Sequence, residues 1–144
     1  MLIGLLALTV AALFTGAAFY VNFVEQPARL LLDDQALLTE WKPSYKRGFT
    51  MQAPLALIGF LFGLLAWWQS GNLTFLFGAL FMLASWPWTL IAIMPTNNTL
   101  METEISEAGT HSRALIHKWG GLHAVRTGFG AVATILFLVA LSAT

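Results

Sequence analysis

FTMQAPLALIGFLFGLLAWWQSGNLTFLFGALFMLASWPWTLIAIM, residues 49–94, contains no charged residue. Its one interruption is QSGN, residues 69–72. The flanking runs, Phe49–Trp68 and Leu73–Met94, have the ~20 apolar residues that a helix needs to cross a hydrocarbon core of roughly 30 Å. Backbone N–H and C=O groups find no water in lipid, so runs of this length read as helix. So short a turn makes the two spans antiparallel neighbours.

The same pattern recurs outside this stretch. Leu2–Val24 is free of charge, and in the run from about 121 to 142 only His123 and Arg126 titrate, both near its start. A cleaved signal peptide is a poor reading of the first run, which has no basic leader and a longer apolar stretch than a signal needs. Composition agrees. Hydrophobic residues make up 58% and charged residues 10%, whereas soluble domains carry about 25% charged residues. The expected fold is an all-α, four-transmembrane-helix bundle, a single integral membrane domain over residues 1–144 with spans at about 2–24, 49–68, 73–94 and 121–142.

The charges are placed unevenly. Arg29, Lys42, Lys46 and Arg47 fall between the first two spans, Arg113 and Lys118 between the last two, and the QSGN turn has none. The positive-inside rule assigns both charged connections to the cytoplasm. Both termini are then expected on the outer side of a plasma (inner) membrane. Lys46 and Arg47 are read only as orientation signals. With a net charge of zero, nucleic acid is excluded as a partner. The absence of cysteine removes thiolate nucleophiles, disulfides and Cys-ligated metals. No Walker A, dinucleotide-binding or nucleophile-elbow pattern is present. The sequons at Asn72 and Asn97 abut spans and carry no weight. The two hairpins share an order of elements, but their residues do not align, so no repeat is assigned.

Polar residues gather at the charged end of the expected bundle. Asn22, Glu25 and Arg29 follow at spacings that put them on one helical face. Read alone, they are an interfacial salt bridge at a frayed helix end; read with other segments, they are the wall of a site. Trp119, His123 and Arg126 share a face of the fourth span. Asn97 follows Pro95 at the end of the third, and Trp41 and Tyr45 lie in the first charged connection. Ionisable groups within a span turn to the bundle interior or a water-filled cavity. Each residue also has a plainer reading: a satisfied histidine, a snorkelling arginine, a helix-ending asparagine, interfacial aromatics. Their common depth favours a pocket. Trp86-Pro87-Trp88 is either a packing kink or a kink that opens a cavity between helices. His111 and His117 are placed in a solvated loop with Glu102, Glu104 and Glu107, at no metal-ligand spacing.

The motifs YVNFVEQPARL, WKPSYKRGF, IMPTNN and the Trp119, His123, Arg126 set, spread over all four spans, resemble the small bacterial membrane proteins grouped as DUF1772. That group is similar to the anthrone oxygenases. The resemblance implies oxidation of an activated ring methylene of a flat aromatic to a carbonyl by O2, with no cofactor expected. It implies His123 as general base, Arg126 as stabiliser of the enolate or peroxide oxygen, and Asn97 as donor to a substrate carbonyl. Trp119 and Trp41 would cover the ring, and Glu25 and Arg29 would be a pair that orients the others, these four with Tyr45 and Asn22 making up the substrate-binding set.

Other classes stay open. A non-catalytic binder of lipid or another hydrophobic ligand would use the same pocket. A haem or quinone protein would use His123 as ligand, although no second intramembrane histidine exists. A structural subunit or homo-oligomer would use the small residues Gly16, Ala17 and Ala18 as a helix-packing face. A transporter is the poorest fit, because its site would lie near the midplane.

Overall fold

The computed structural model describes residues 1–143 and is all helical apart from short connections. Four helices are long and apolar enough to cross a membrane. They are α1, Leu2–Arg29; α2, Asp34–Ser70; α3, Leu73–Glu102; and α4, Thr110–Ser142. Each helix packs on its chain neighbours, and α4 closes the ring on α1. Met1, Gly4, Ser70, Phe75 and Leu141 meet around one small hollow, so both termini share the end where α2 turns into α3.

The turns follow from their residues. Gly71, at φ 70°, ends α2 in the left-handed region that a Cβ disfavours. Asn72 caps α3, its side chain accepting from the Thr74 N–H at 3.0 Å. Asp33 caps α2 through the Ala36 N–H at 2.9 Å. At the charged end, Arg113 donates to Asp34 and to the Leu30 carbonyl at 3.0 Å. Lys42 donates to the carbonyls of Met101 and Thr103 at 3.1 and 2.6 Å. These cations therefore satisfy orphan helix-end carbonyls and tie the connections down.

The helices overrun the charge-free stretches. α2 starts at Asp34, not near Phe49, and α3 runs through Pro95 to Glu102. His111 and His117 are not in a loop: both sit, exposed, on the first turns of α4. Asn97 neither caps nor ends a helix but lies inside α3, buried.

Two helices contain a π-helical turn, Val21–Glu25 in α1 and Thr89–Ile93 in α3. Each turn closes on the residue before a proline: Gln26 N–H bonds the Val21 carbonyl ahead of Pro27, and Met94 N–H bonds the Thr89 carbonyl ahead of Pro95. A proline cannot donate to the helical ladder and crowds the preceding turn, and the wider turn absorbs the misfit. Pro87 lies within α3 as well. Its neighbours are anchored, Trp86 Nε1 on the Ala53 carbonyl at 3.2 Å and Trp88 Nε1 on the Leu122 carbonyl at 2.9 Å.

Side chains fill the interior in two clusters. Phe14, Met82 and Phe137 centre the one nearer the termini. Gly63 and Gly78 face Phe137, and a Cβ on them would come within 2.6 and 2.5 Å of its ring. The other cluster, at the charged end, contains Leu37, Leu38, Trp41, Ile93, Leu100, Ile116 and Trp119. Of the small stripe expected to serve a partner helix, Ala18 is buried in this bundle and Ala17 faces its cavity, leaving Gly16 exposed.

Candidate functional site

Between the two clusters lies a cavity of about 380 Å³, within the ~300–1,000 Å³ range of small-molecule sites. All four helices line it, and both π-helical turns contribute: Val21 and Glu25 from α1, Thr89 and Ile93 from α3. π-Turns recur at functional sites because they push side chains out of helical register.

His123 lines the cavity, and its other side is fixed by Asn22. The Asn22 amide nitrogen donates to the Gly120 carbonyl at 2.9 Å, so its oxygen points the other way. That oxygen accepts from the Thr127 hydroxyl at 2.7 Å and lies 2.8 Å from His123 Nδ1. An acceptor there requires the proton on Nδ1. The Nε2 lone pair has no hydrogen-bond partner among the described residues.

Arg126, one turn along, is 7% exposed and lines the same cavity. Among the described residues it makes no ion pair and no hydrogen bond; its guanidinium carbon stands 5.6 Å from the Phe14 ring centroid. A buried cation without a counter-charge is costly. Two amides join it on the cavity wall. Asn97 is 1% exposed, and neither its oxygen nor its nitrogen has a partner among the described residues. Gln52 on α2 has an unpartnered buried oxygen.

The aromatic wall is Trp119, 4.9 Å from the His123 ring, with Tyr45. Trp41 does not line the cavity. It is fully buried behind it, stacked on Tyr45 at 5.0 Å and edge-on to Trp119 at 5.8 Å. Arg29 also stands behind the wall, 5.7 Å from the Trp119 centroid. It pairs with Glu25 and with Glu40, 3.1 Å from Arg29 Nε, and donates to Ser44, which itself donates to Glu25. Asn22 is likewise one layer back. Of the expected residues, His123, Arg126, Asn97, Trp119, Tyr45 and Glu25 thus reach the cavity, and Trp41, Asn22 and Arg29 support those that do.

The sequence reading missed Gln52, Ser44, Thr127 and Glu40. Gln52 was within reach, being a lone amide in an otherwise apolar run. Arg47 does more than orient the chain, since it lines the cavity mouth. Among the described residues, no group of three or more His, Asp or Glu side chains stands close enough together to hold a metal ion.

The family model described as anthrone oxygenase matches residues 41–136, well over half of the chain. The chain belongs to the anthrone oxygenase family. No curated protein and no solved structure matches it. The matched segment contains Trp41, Tyr45, Asn97, Trp119, His123 and Arg126. It leaves out α1 and so does not cover Asn22, Glu25 or Arg29.

Proposed function

We propose that this protein oxidises an anthrone-like aromatic with O2 inside the membrane, using the substrate's own electrons. The observation that carries the reading is one cavity lined by a histidine with a free Nε2 and an unpaired buried guanidinium. His123 Nε2 takes a proton from the ring methylene. The electron pair left behind spreads onto the ring carbonyl oxygen as an enolate, which Arg126 stabilises. Asn97 and Gln52 supply further polar contacts, and Trp119 and Tyr45 hold the ring plane.

The enolate passes one electron to O2, and the resulting radical and superoxide combine to form a C–O bond. The proton held on His123 passes to the peroxide; loss of the second methylene proton, with cleavage of the O–O bond, then gives the carbonyl and hydroxide, and hydroxide with that second proton makes water. The carbon loses four electrons and O2 gains four, so the balance requires no other oxidant or reductant. The positive-inside rule supports a cytoplasmic position for the charged end, hence for the site, in a plasma (inner) membrane.

The test is turnover of anthrone by protein in vesicles under ¹⁸O2. One labelled oxygen in the new carbonyl of anthraquinone, formed faster than in protein-free vesicles, is expected. Carbonyl oxygen drawn from water, or no excess over the protein-free rate, would refute the reading.

A further inference from the structure

Among the described residues, buried side chains close the cavity along the bundle axis. At the charged end Leu38, Trp41, Leu100 and Ile116, all 0% exposed, close the bundle beneath it. Toward the termini Phe14 and Met82 close it in the same way. The wall residues from α3 and α4 are all buried. The exposed ones are Tyr20 on α1, 56%, with Arg47 and Met51, 52%, on α2. The opening is therefore lateral, between α1 and α2.

Its height follows from the sequence. Tyr20 lies near the end of the charge-free run that stops at Val24, and Arg47 lies just before the one that starts at Phe49. The mouth thus falls where acyl chains meet headgroups. Phenolic and ketonic aromatics settle at this level, with an apolar body and a polar edge.

Gly48 lies in this opening. Glycine is among the poorest helix formers, and one reason for it inside a helix is a neighbour that needs the room. Gly59, Gly63, Gly78 and Gly130 have that reason, since a Cβ on any of them would meet a core side chain within 3.0 Å. Gly48 has no such neighbour: nothing lies within 4 Å of a Cβ built there, as at Gly16, Gly121 and Gly128 elsewhere in the helices, but of these four Gly48 alone lines the cavity. The space a side chain would fill is the passage itself.

We propose that the cavity fills sideways from the bilayer through a portal between α1 and α2, with Gly48 as its size-determining residue. The ligand then arrives as an amphipathic aromatic dissolved in the leaflet at the charged end. The ligand class rests on the anthrone reading above; the route rests on the geometry.

The chain has no cysteine, so Gly48→Cys creates a unique thiol. It can be alkylated with N-phenylmaleimide after folding, in phosphatidylcholine vesicles. Gly128→Cys, exposed on α4 with open space around it, is the matched control. The probe is tritiated 2-azidoanthraquinone, delivered from a second set of vesicles. The readout is the rate at which photolabelling appears in the α4 segment around His123. Alkylated Gly48→Cys is expected to label at least about tenfold more slowly than its unalkylated form, while alkylated Gly128→Cys labels at the wild-type rate. Unchanged labelling of alkylated Gly48→Cys would overturn the portal and leave the cavity reading intact. Absence of α4 labelling in the wild type would overturn both.

Discussion

The side-chain oxygen of Asn22 lies 2.8 Å from Nδ1 of His123, across the contact between α1 and α4. The Asn22 amide cannot turn over without losing the Gly120 carbonyl, and the Thr127 hydroxyl claims the same oxygen. The pair therefore fixes which histidine nitrogen holds the proton and leaves the Nε2 lone pair for the base role proposed above.

Removing that control should slow chemistry more than binding. Asn22→Leu is expected to lower kcat for anthrone by roughly tenfold or more, part of the ~10²–10⁴ that a positioned base contributes, with little change in KM. The check is a steady-state comparison with wild type. An equal fall in kcat and rise in KM would mean that Asn22 shapes the cavity and does not tune the base.

Arg126 should cost stability in exchange for function. Replacing a buried unpaired cation by an apolar side chain of similar length is expected to stabilise the fold by ~1–4 kcal/mol. Arg126→Met should therefore melt higher in detergent and bind phenolate ligands about tenfold or more weakly, since a hydrogen bond to a charged group is worth ~1.5–3 kcal/mol. A lower melting temperature would show that Arg126 has a structural partner in the working protein.

The glycines divide into two kinds, and stability should sort them. Gly78→Ala puts a methyl 2.5 Å from the Phe137 ring and should destabilise by ~1–3 kcal/mol. Phe137→Leu in the same chain should restore part of the loss. Gly48→Ala meets nothing and should gain up to about 1 kcal/mol from helix propensity. Thermal melts of the variants decide the matter, and a destabilised Gly48→Ala would contradict the open space drawn at that position.

Arg29 pairs with two carboxylates at once. Its side chain is almost fully buried, while those of Glu25 and Glu40 are 26% and 37% exposed. Arg29→Gln should destabilise by ~1–2 kcal/mol, less than the ~3–5 of a fully buried pair, because solvent screens the exposed carboxylates. Adding Glu40→Gln should recover part of the loss in denaturation experiments. No recovery would mean that the contact with Trp119, not charge, is what Arg29 provides.

Much of this was legible in the sequence for definite reasons. Residues 49–94 stay charge-free across a four-residue turn, and lipid leaves such runs one option. The helical spacing of Trp119, His123 and Arg126 put them on one face, and the structure places all three at the cavity. What the sequence did not show depends on contacts between helices. Trp41 looked like a ring cover, but stacking on Tyr45 holds it behind the wall. Thr127 and Asn22 meet only because α1 crosses α4 there. The π-turns leave no pattern beyond the prolines that follow them. Gln52 stands apart from the polar groups at the charged end, and only the packing of α2 turns it to the cavity.

The proposed function gives His123 the part of base in an O2-consuming reaction. The most direct measurement is O2 uptake with anthrone in vesicles, comparing wild type with His123→Gln, alongside ligand binding by both. Wild type is expected to consume one O2 per anthraquinone formed, and His123→Gln to bind normally but turn over ~10²-fold more slowly or less. Equal turnover by the two proteins would rule out His123 as the base, and no turnover by wild type with ligand bound would make this a binding protein that performs no chemistry.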